Sequence, residues 1–320
     1  MTATLTSGTE PGQSTGASRL RRRPFVGPVG PRITKAIYGN RPAAPLSPPS
    51  LAGMWVMVAV SVLAAWFVLY ALLLSGLQQN RNNSVLYSQL REGLSGATTP
   101  IGGVITPGTP IALLNAPQAG LGSTVIVEGT APQDLRNGPG HRRDTPLPGQ
   151  PGVSVLYGRS VTYGAPFEHI GQFRPGQSLT VTTGQGEFTY AIDGIRHVGD
   201  PLPPLLPAGG SRLLLETSTG SALAPTGTVF VDATLQGKSV AAPAGRPAAI
   251  LASELPMGSD SSGLVVLVLW LQALVIVTAV VVWARARWGT GQAWLIGLPL
   301  VLAVLWGSSG NVLMLLPNLV

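Results

Sequence analysis

Three long apolar runs interrupt a chain otherwise punctuated by glycine and proline, and short alternating stretches fill the space between the first two. Residues 51–77 carry no charge. As a helix rising about 1.5 Å per residue, the run is long enough to cross a hydrocarbon core of roughly 30 Å. It is too long for the apolar part of a secretory signal, and no small-residue cleavage site precedes Gln78-Gln79-Asn80-Arg81, so it predicts a retained transmembrane helix. Residues 263–285, rich in Val and Leu and ending at Arg285, predict a second. Residues 292–316 predict a third, notched by Gly307-Ser308-Ser309-Gly310-Asn311. Polar groups at that depth need partners, so Ser308, Ser309 and Asn311, with Gln272 on the second helix, are candidate helix-packing residues facing protein. The alternatives are packing on the chain's own second helix, a span that ends early near Trp306, and contact with another membrane protein.

Within 78–110, apolar residues at 86, 87, 90 and 94 have helical spacing and predict a short juxtamembrane helix closed by Gly93. A Gly/Pro/Thr linker over 95–110 then predicts some freedom for the domain beyond it. From residue 111 the pattern changes to short strand-like runs bounded by turn residues. Strands are expected near 110–115, 123–128, 152–157, 178–183, 187–196, 211–217 and 227–234, with a hairpin at Thr182-Thr183-Gly184-Gln185-Gly186-Glu187. Short strands with little helix predict a mainly β domain over 111–240, a closed or nearly closed barrel, and a linker over 241–262.

Charge orients this arrangement. Residues 1–50 hold seven Lys/Arg against Glu10 alone, whereas 78–262 hold eleven basic and twelve acidic residues, so the net +7 belongs to the tail. A Gly/Pro/Ser/Thr/Arg-rich tail without periodicity is expected to be disordered. By the bias of Lys/Arg toward the cytoplasm, 1–50 lie inside, 78–262 lie outside, Arg285 and Arg287 return inside, and 318–320 lie outside again. The chain is thus expected in the plasma membrane as a multi-pass protein. Positive charge confined to a tail, with no basic stripe interleaved with aromatics, excludes a nucleic-acid reader.

Four words stand in order along 124–167: Val127-Glu128-Gly129-Thr130, Gly138-Pro139-Gly140-His141, Leu147-Pro148-Gly149 and Tyr163-Gly164-Ala165-Pro166-Phe167. They resemble the core of class E sortases, cell-wall transpeptidases of actinobacteria that work through a cysteine thiolate. The resemblance implies a sortase-like closed barrel and is looser over 168–234. It also implies where the catalytic groups would stand. Arg159, in Gly158-Arg159-Ser160, occupies the position of the family's histidine. Ser218, in Leu215-Glu216-Thr217-Ser218, occupies that of the cysteine. Gly227 and Thr228 are nearest to that of the arginine.

This chain has no cysteine. A serine hydroxyl without a base is a far weaker nucleophile than a thiolate, and a guanidinium is not a general base. The expectation is therefore a catalytically inactive sortase-like protein, not an enzyme. It would act as an extracytoplasmic binding or scaffolding subunit for membrane or cell-envelope proteins, or as a homo-oligomer, with a peptide groove at Arg159, Tyr163, Ser218 and Thr228. In that groove Arg159 would hold a carboxylate. Two alternatives stand beside it: an active transpeptidase or hydrolase using Ser218, with His197 or His169 as base, and an accessory subunit of a transporter or secretion complex docking through its last two helices. No cofactor is expected. His141, His169 and His197 lack paired ligand spacing, and the scattered aspartates form no motif, so no metal site is expected.

Overall fold

A computed structural model of the chain describes residues 48–320. The expected disordered tail, but for its last residues, lies outside that range. Residues 1–54 and 55–320 are separate compact units, and of the first only the opening of helix α1 (Pro48–Leu69) is described.

Helix α1 runs through a π-helical turn, Tyr70–Leu74, directly into α2 (Ser75–Ser95). The expected end of the span at 77 and the separate juxtamembrane helix are thus replaced by one unbroken rod. No proline interrupts 51–95, and the polar stretch that looked like a break spends its side chains on the neighbouring domain. Asn82 Nδ2 donates to Asn137 Oδ1 at 2.8 Å, and Asn83 Oδ1 accepts the Val125 N–H at 2.9 Å. Gln79 and Leu90 are buried.

Eight strands close a barrel: β1 (Pro110–Ala116), β2 (Leu121–Glu128), β3 (Gly140–His141), β4 (Gly152–Tyr157), β5 (Ser178–Thr183), β6 (Gly186–His197), β7 (Ser211–Ser221) and β8 (Ala224–Leu235). Their order around the barrel is β1-β2-β3-β4-β7-β8-β6-β5. All seven expected strands are present. The eighth, β3, has two residues, too few to show a period. It exists because Gly140 lets its backbone approach Gly129, whose carbonyl oxygen a Cβ at 140 would meet at 2.2 Å.

Strand alternation divides β4 and β7 between two environments. Leu156, Leu213 and Leu215 belong to the barrel core with Ile126, Val181 and Val231, each such burial contributing about 1.5–3 kcal/mol. Val155, Tyr157 and Leu214 belong to a second cluster, with Leu135 and Leu319. Glu216 and Ser218 share the parity of Leu214. The outer face of the β4/β7 pair is therefore covered by the chain's own later residues.

The segments expected as free linkers are strapped to the barrel. Ile105 enters the core, Gln150 Nε2 donates to Ile101 O at 2.7 Å, and the Val240 N–H donates to Gly149 O at 2.9 Å. Arg246 lies 2.7 Å from Glu128, and Arg143 reaches Glu254 at 2.5 Å. Helices α4 (Leu264–Trp288) and α5 (Thr290–Leu313) then form a hairpin. Among the described residues, three helices are long and apolar enough to cross a membrane: Pro49–Ser95, Leu264–Trp288 and Thr290–Leu313.

The notch does not end α5, which continues through 307–311 to Leu313. Ser308 and Ser309 donate to Leu305 O at 3.0 and 2.7 Å, and Asn311 Nδ2 donates to Gly307 O at 2.8 Å. Gly307 admits the Trp270 ring of α4, which a Cβ would meet at 2.5 Å. Ser309 Oγ also accepts the Trp66 Nε1–H of α1 at 3.1 Å, so the notch packs against the first helix as well as the second. Gln272 lies elsewhere, beside Val268, Leu271, Val275 and Ile276.

Candidate functional site

The site is built where the pairing of β4 with β7 ends. These strands run parallel, with Tyr157 paired to Glu216, and the Gly158 N–H donates to Glu216 O at 3.1 Å. Gly158 has to be glycine: a Cβ there would lie 2.2 Å from the Phe167 ring. That ring pins the turn, and the Phe167 N–H donates to Arg159 O at 3.0 Å. Tyr163, Gly164 and Ala165 all have positive φ (51°, 73° and 46°), a conformation costly for the two non-glycine residues. The long first rod holds them there. Ser75 Oγ accepts the Tyr163 N–H at 2.9 Å and donates to Ala71 O at 2.7 Å, within the π-helical region. The word at 163–167 is thus a strained loop clamped between a helix and a barrel.

Ser160 Oγ and Ser218 Oγ lie 2.6 Å apart. Each hydroxyl holds one proton, so one donates to the other, and the remaining one, with the Ser160 N–H at 3.0 Å, goes to Leu319 O, which lies 3.1 Å from Ser160 Oγ and 2.8 Å from Ser218 Oγ. Two donors match the two lone pairs of that oxygen. Beside it, Val320 O accepts from Arg159 Nη1 at 3.1 Å and from Thr162 Oγ1 at 2.5 Å. Arg159 is fully buried, and burial lowers its pKa to about 10, which leaves it charged at neutral pH. It contacts Thr162 at 3.1 Å and stacks 5.1 Å from the Tyr163 ring centroid. Within the structure the guanidinium meets the main-chain oxygen of Val320.

The sequence-predicted residues therefore converge. Ser218 and Arg159 grip adjacent carbonyls of one segment, Tyr163 stacks on Arg159, and Thr228 is paired with Ser218 across β7/β8. Gly227 faces Thr219, one step further. The proposed bases do not join them. His169 and His197 are exposed and lie beside Glu168 and Asp200, at 3.9 and 3.7 Å. His141 is neither exposed nor in a loop. It is buried in β3, 3.0 Å from Glu128 and 3.0 Å from Pro146 O, where it locks β2, β3 and the turn after them. Asp144, Asp193 and Asp232 are spent on Arg142, Thr234 and Arg196.

Sequence reasoning missed three groups here. Ser160 and Thr162 flank Arg159 but gain meaning only from contact with Leu319 and Val320. Glu216 stood inside the quoted word Leu215-Glu216-Thr217-Ser218. Burial, partly opposed by Arg142, raises its carboxyl to about 7, and it shares the outer face of β7 with Ser218. Acidic character two residues before the hydroxyl, on the same strand face, was the available signal. A groove beside Ser160, lined by Leu72, Val161, Gly164, Ala165 and Glu168, opens the site toward the first helix.

The protein-family model of the Sortase domain matches residues 114–217. Sortase D of Bacillus subtilis is 40% identical over 67 residues, which cover 21% of this chain and 32% of that relative. The chain thus spans about a third of the length of the curated relative it matches. Among solved structures, sortase E from Streptomyces avermitilis is 30% identical over 42% of this chain and 91% of its own, with a TM-score of 0.34. A Clostridium perfringens Sortase D5 transpeptidase is 21% identical over 49% of this chain and 99% of its own, with a TM-score of 0.40. The closed eight-stranded barrel is a sortase-type domain. The expectation that the chain is not an enzyme is overturned by this match: residues 114–217 fit the Sortase domain, the domain of an enzyme family.

Proposed function

We propose that this chain is a membrane-anchored, class E-like sortase-type enzyme that transfers or hydrolyses peptide acyl groups through Ser218. The observation that carries the reading is the 2.6 Å contact of the Ser160 and Ser218 hydroxyls beside two successive main-chain oxygens, those of Leu319 and Val320. It is supported by the sortase-domain match over 114–217.

The substrate carbonyl oxygen takes the place of Val320 O, where Arg159 and Thr162 meet the charge that develops on it. Ser160 orients the Ser218 hydroxyl. Glu216 is the base: residues i and i+2 of a strand lie roughly 7 Å apart, within a glutamate's reach, and a carboxyl near 7 is about half ionised at neutral pH and fully so above it. A bond forms from Ser218 Oγ to the carbonyl carbon, and the carbon–nitrogen bond breaks. The proton taken by Glu216 goes to the leaving nitrogen, and an amine or water then releases the Ser218 ester.

The test is turnover of short peptides by the full chain in detergent or nanodiscs, with mass-spectrometric detection of product. Ser218→Ala is expected to reduce turnover by at least about a hundredfold while keeping the melting temperature. Equal turnover in Ser218→Ala sinks the assignment.

A further inference from the structure

The oxygens in the two nests belong to the chain itself. After α5 ends at Leu313, residues 317–320 turn back onto the barrel, with the Val320 N–H donating to Pro317 O at 3.1 Å. Asn318, Leu319 and Val320 are completely buried. Leu319 fills an apolar pocket of Leu135, Val155, Tyr157 and Leu214 on the outer face of β4/β7. Asn318 Nδ2 donates to Ser253 O and Leu255 O at 2.6 and 2.7 Å, and its N–H donates to Gly258 O at 3.0 Å, so the strap over 252–258 holds the turn in place. Thr162, Ser160, Ser218 and one nitrogen of Arg159 are all committed to two successive carbonyls.

From this we infer that the Asn318–Val320 turn is a built-in occupant of the peptide site, which must leave before a peptide can enter in trans. The inference rests on the reading of this site as a peptide site. Three observations point to a removable ligand. The contacts are made through main-chain carbonyls, which any peptide offers. The apolar pocket receives a single side chain. The groove beside Ser160 stays open next to the plug, giving an arriving peptide a place to dock. Because α5 tethers the turn to the same chain as the barrel, its effective concentration at the site is high, and a weak interaction suffices to keep it seated.

The probe is a fluorophore-labelled synthetic peptide with the sequence of residues 314–320, Met-Leu-Leu-Pro-Asn-Leu-Val, and the readout is its anisotropy with the full chain in nanodiscs. Leu319→Asp, which places a charge in the apolar pocket, is expected to bind the peptide at least tenfold more tightly than the unsubstituted chain. Equal affinity for both, or binding to neither, overturns the inference. A second measurement guards against a folding defect. Leu319→Cys introduces the sole cysteine of the chain, and its alkylation by a maleimide is expected to be at least tenfold slower than in denaturant and to accelerate when the peptide is added. Alkylation as fast as in denaturant also overturns it. Neither readout needs turnover. Binding that behaves as expected without any turnover would remove the enzymatic reading and leave the occupant in place, whereas turnover with unchanged binding would do the reverse.

Discussion

Two pairs of serines lie in one chain under opposite circumstances. Ser308 and Ser309, on α5, both donate to Leu305 O, a carbonyl of their own helix one turn back. Ser160 and Ser218, placed where the pairing of β4 with β7 ends, lie 58 positions apart in sequence, touch each other and face a carbonyl 159 and 101 positions away. Ser218, Ser308 and Ser309 are buried and Ser160 is half-buried. A helix offers its serines a ready acceptor at i−3 or i−4, and a hydroxyl so engaged is closed chemically. A strand or loop offers none in its own backbone ladder, so its hydroxyls must find partners across the fold, and those partners can be exchanged for substrate.

The comparison breaks most sharply at Arg159, the charged neighbour that only Ser160 and Ser218 possess. Arg159→Gln keeps a donor but removes the charge facing the carbonyl, so turnover is expected to fall by about a hundred- to a thousandfold. Arg159→Lys should recover little, because the guanidinium spans Thr162, Val320 O and Pro132 O in a planar fork. Turnover within threefold of the unsubstituted chain in Arg159→Gln would place the developing charge elsewhere.

A smaller effect is expected at Glu216, and it is read as a pH profile. Its folded pKa of about 7 means that the ionised base accumulates as pH rises through 7, so turnover should climb there and level off above. Glu216→Gln should remove that inflection and lower the plateau by about tenfold. Stability moves the opposite way. A carboxyl whose folded pKa is raised binds its proton more tightly folded than unfolded, so its contribution is full below about 4.3 and is lost as pH rises through 7. Asp134, raised to about 7 mainly by burial, adds to the same slope, so Glu216→Gln should flatten the denaturation midpoint against pH only in part.

How much of the fold and the site was legible depends on which contacts are local. The barrel strands were, because short runs of strand-forming residues bounded by turn residues mark β1, β2 and β4 to β8 in the sequence itself. Ser218 and Arg159 were, through the words around them. The continuous first rod was not, since Asn82 and Asn83 look like a break until Asn137 and Val125 are brought beside them. Nor was the covering of the outer β4/β7 face. Leu319 lies beyond three apolar runs, and nothing in its neighbours distinguishes a buried turn from a trailing end. Glu216 was visible as a residue but not as a base, because its raised pKa comes from burial that only the fold supplies.

The smallest effect belongs to the helical pair and tests the other side of the comparison. Ser309 Oγ has two engagements, donating to Leu305 O at 2.7 Å and accepting from Trp66 Nε1 at 3.1 Å, and only the second links two elements. Side-chain hydrogen bonds between membrane helices average about 0.6 kcal/mol, since alternative partners exist when the helices separate. Ser309→Ala removes this acceptor and leaves an indole N–H that can slide toward another carbonyl. The expected loss is therefore within about 1 kcal/mol, with peptide turnover unchanged, and Ser308→Ala should cost less because its hydroxyl serves only its own helix. Thermal melts of the full chain in nanodiscs, with turnover measured on the same samples, check both. A fall in turnover with an unchanged melt in Ser309→Ala would mean that α5 transmits the position of the 317–320 turn to the site, and the two serine pairs would then be coupled through Leu313 and the turn it leads into.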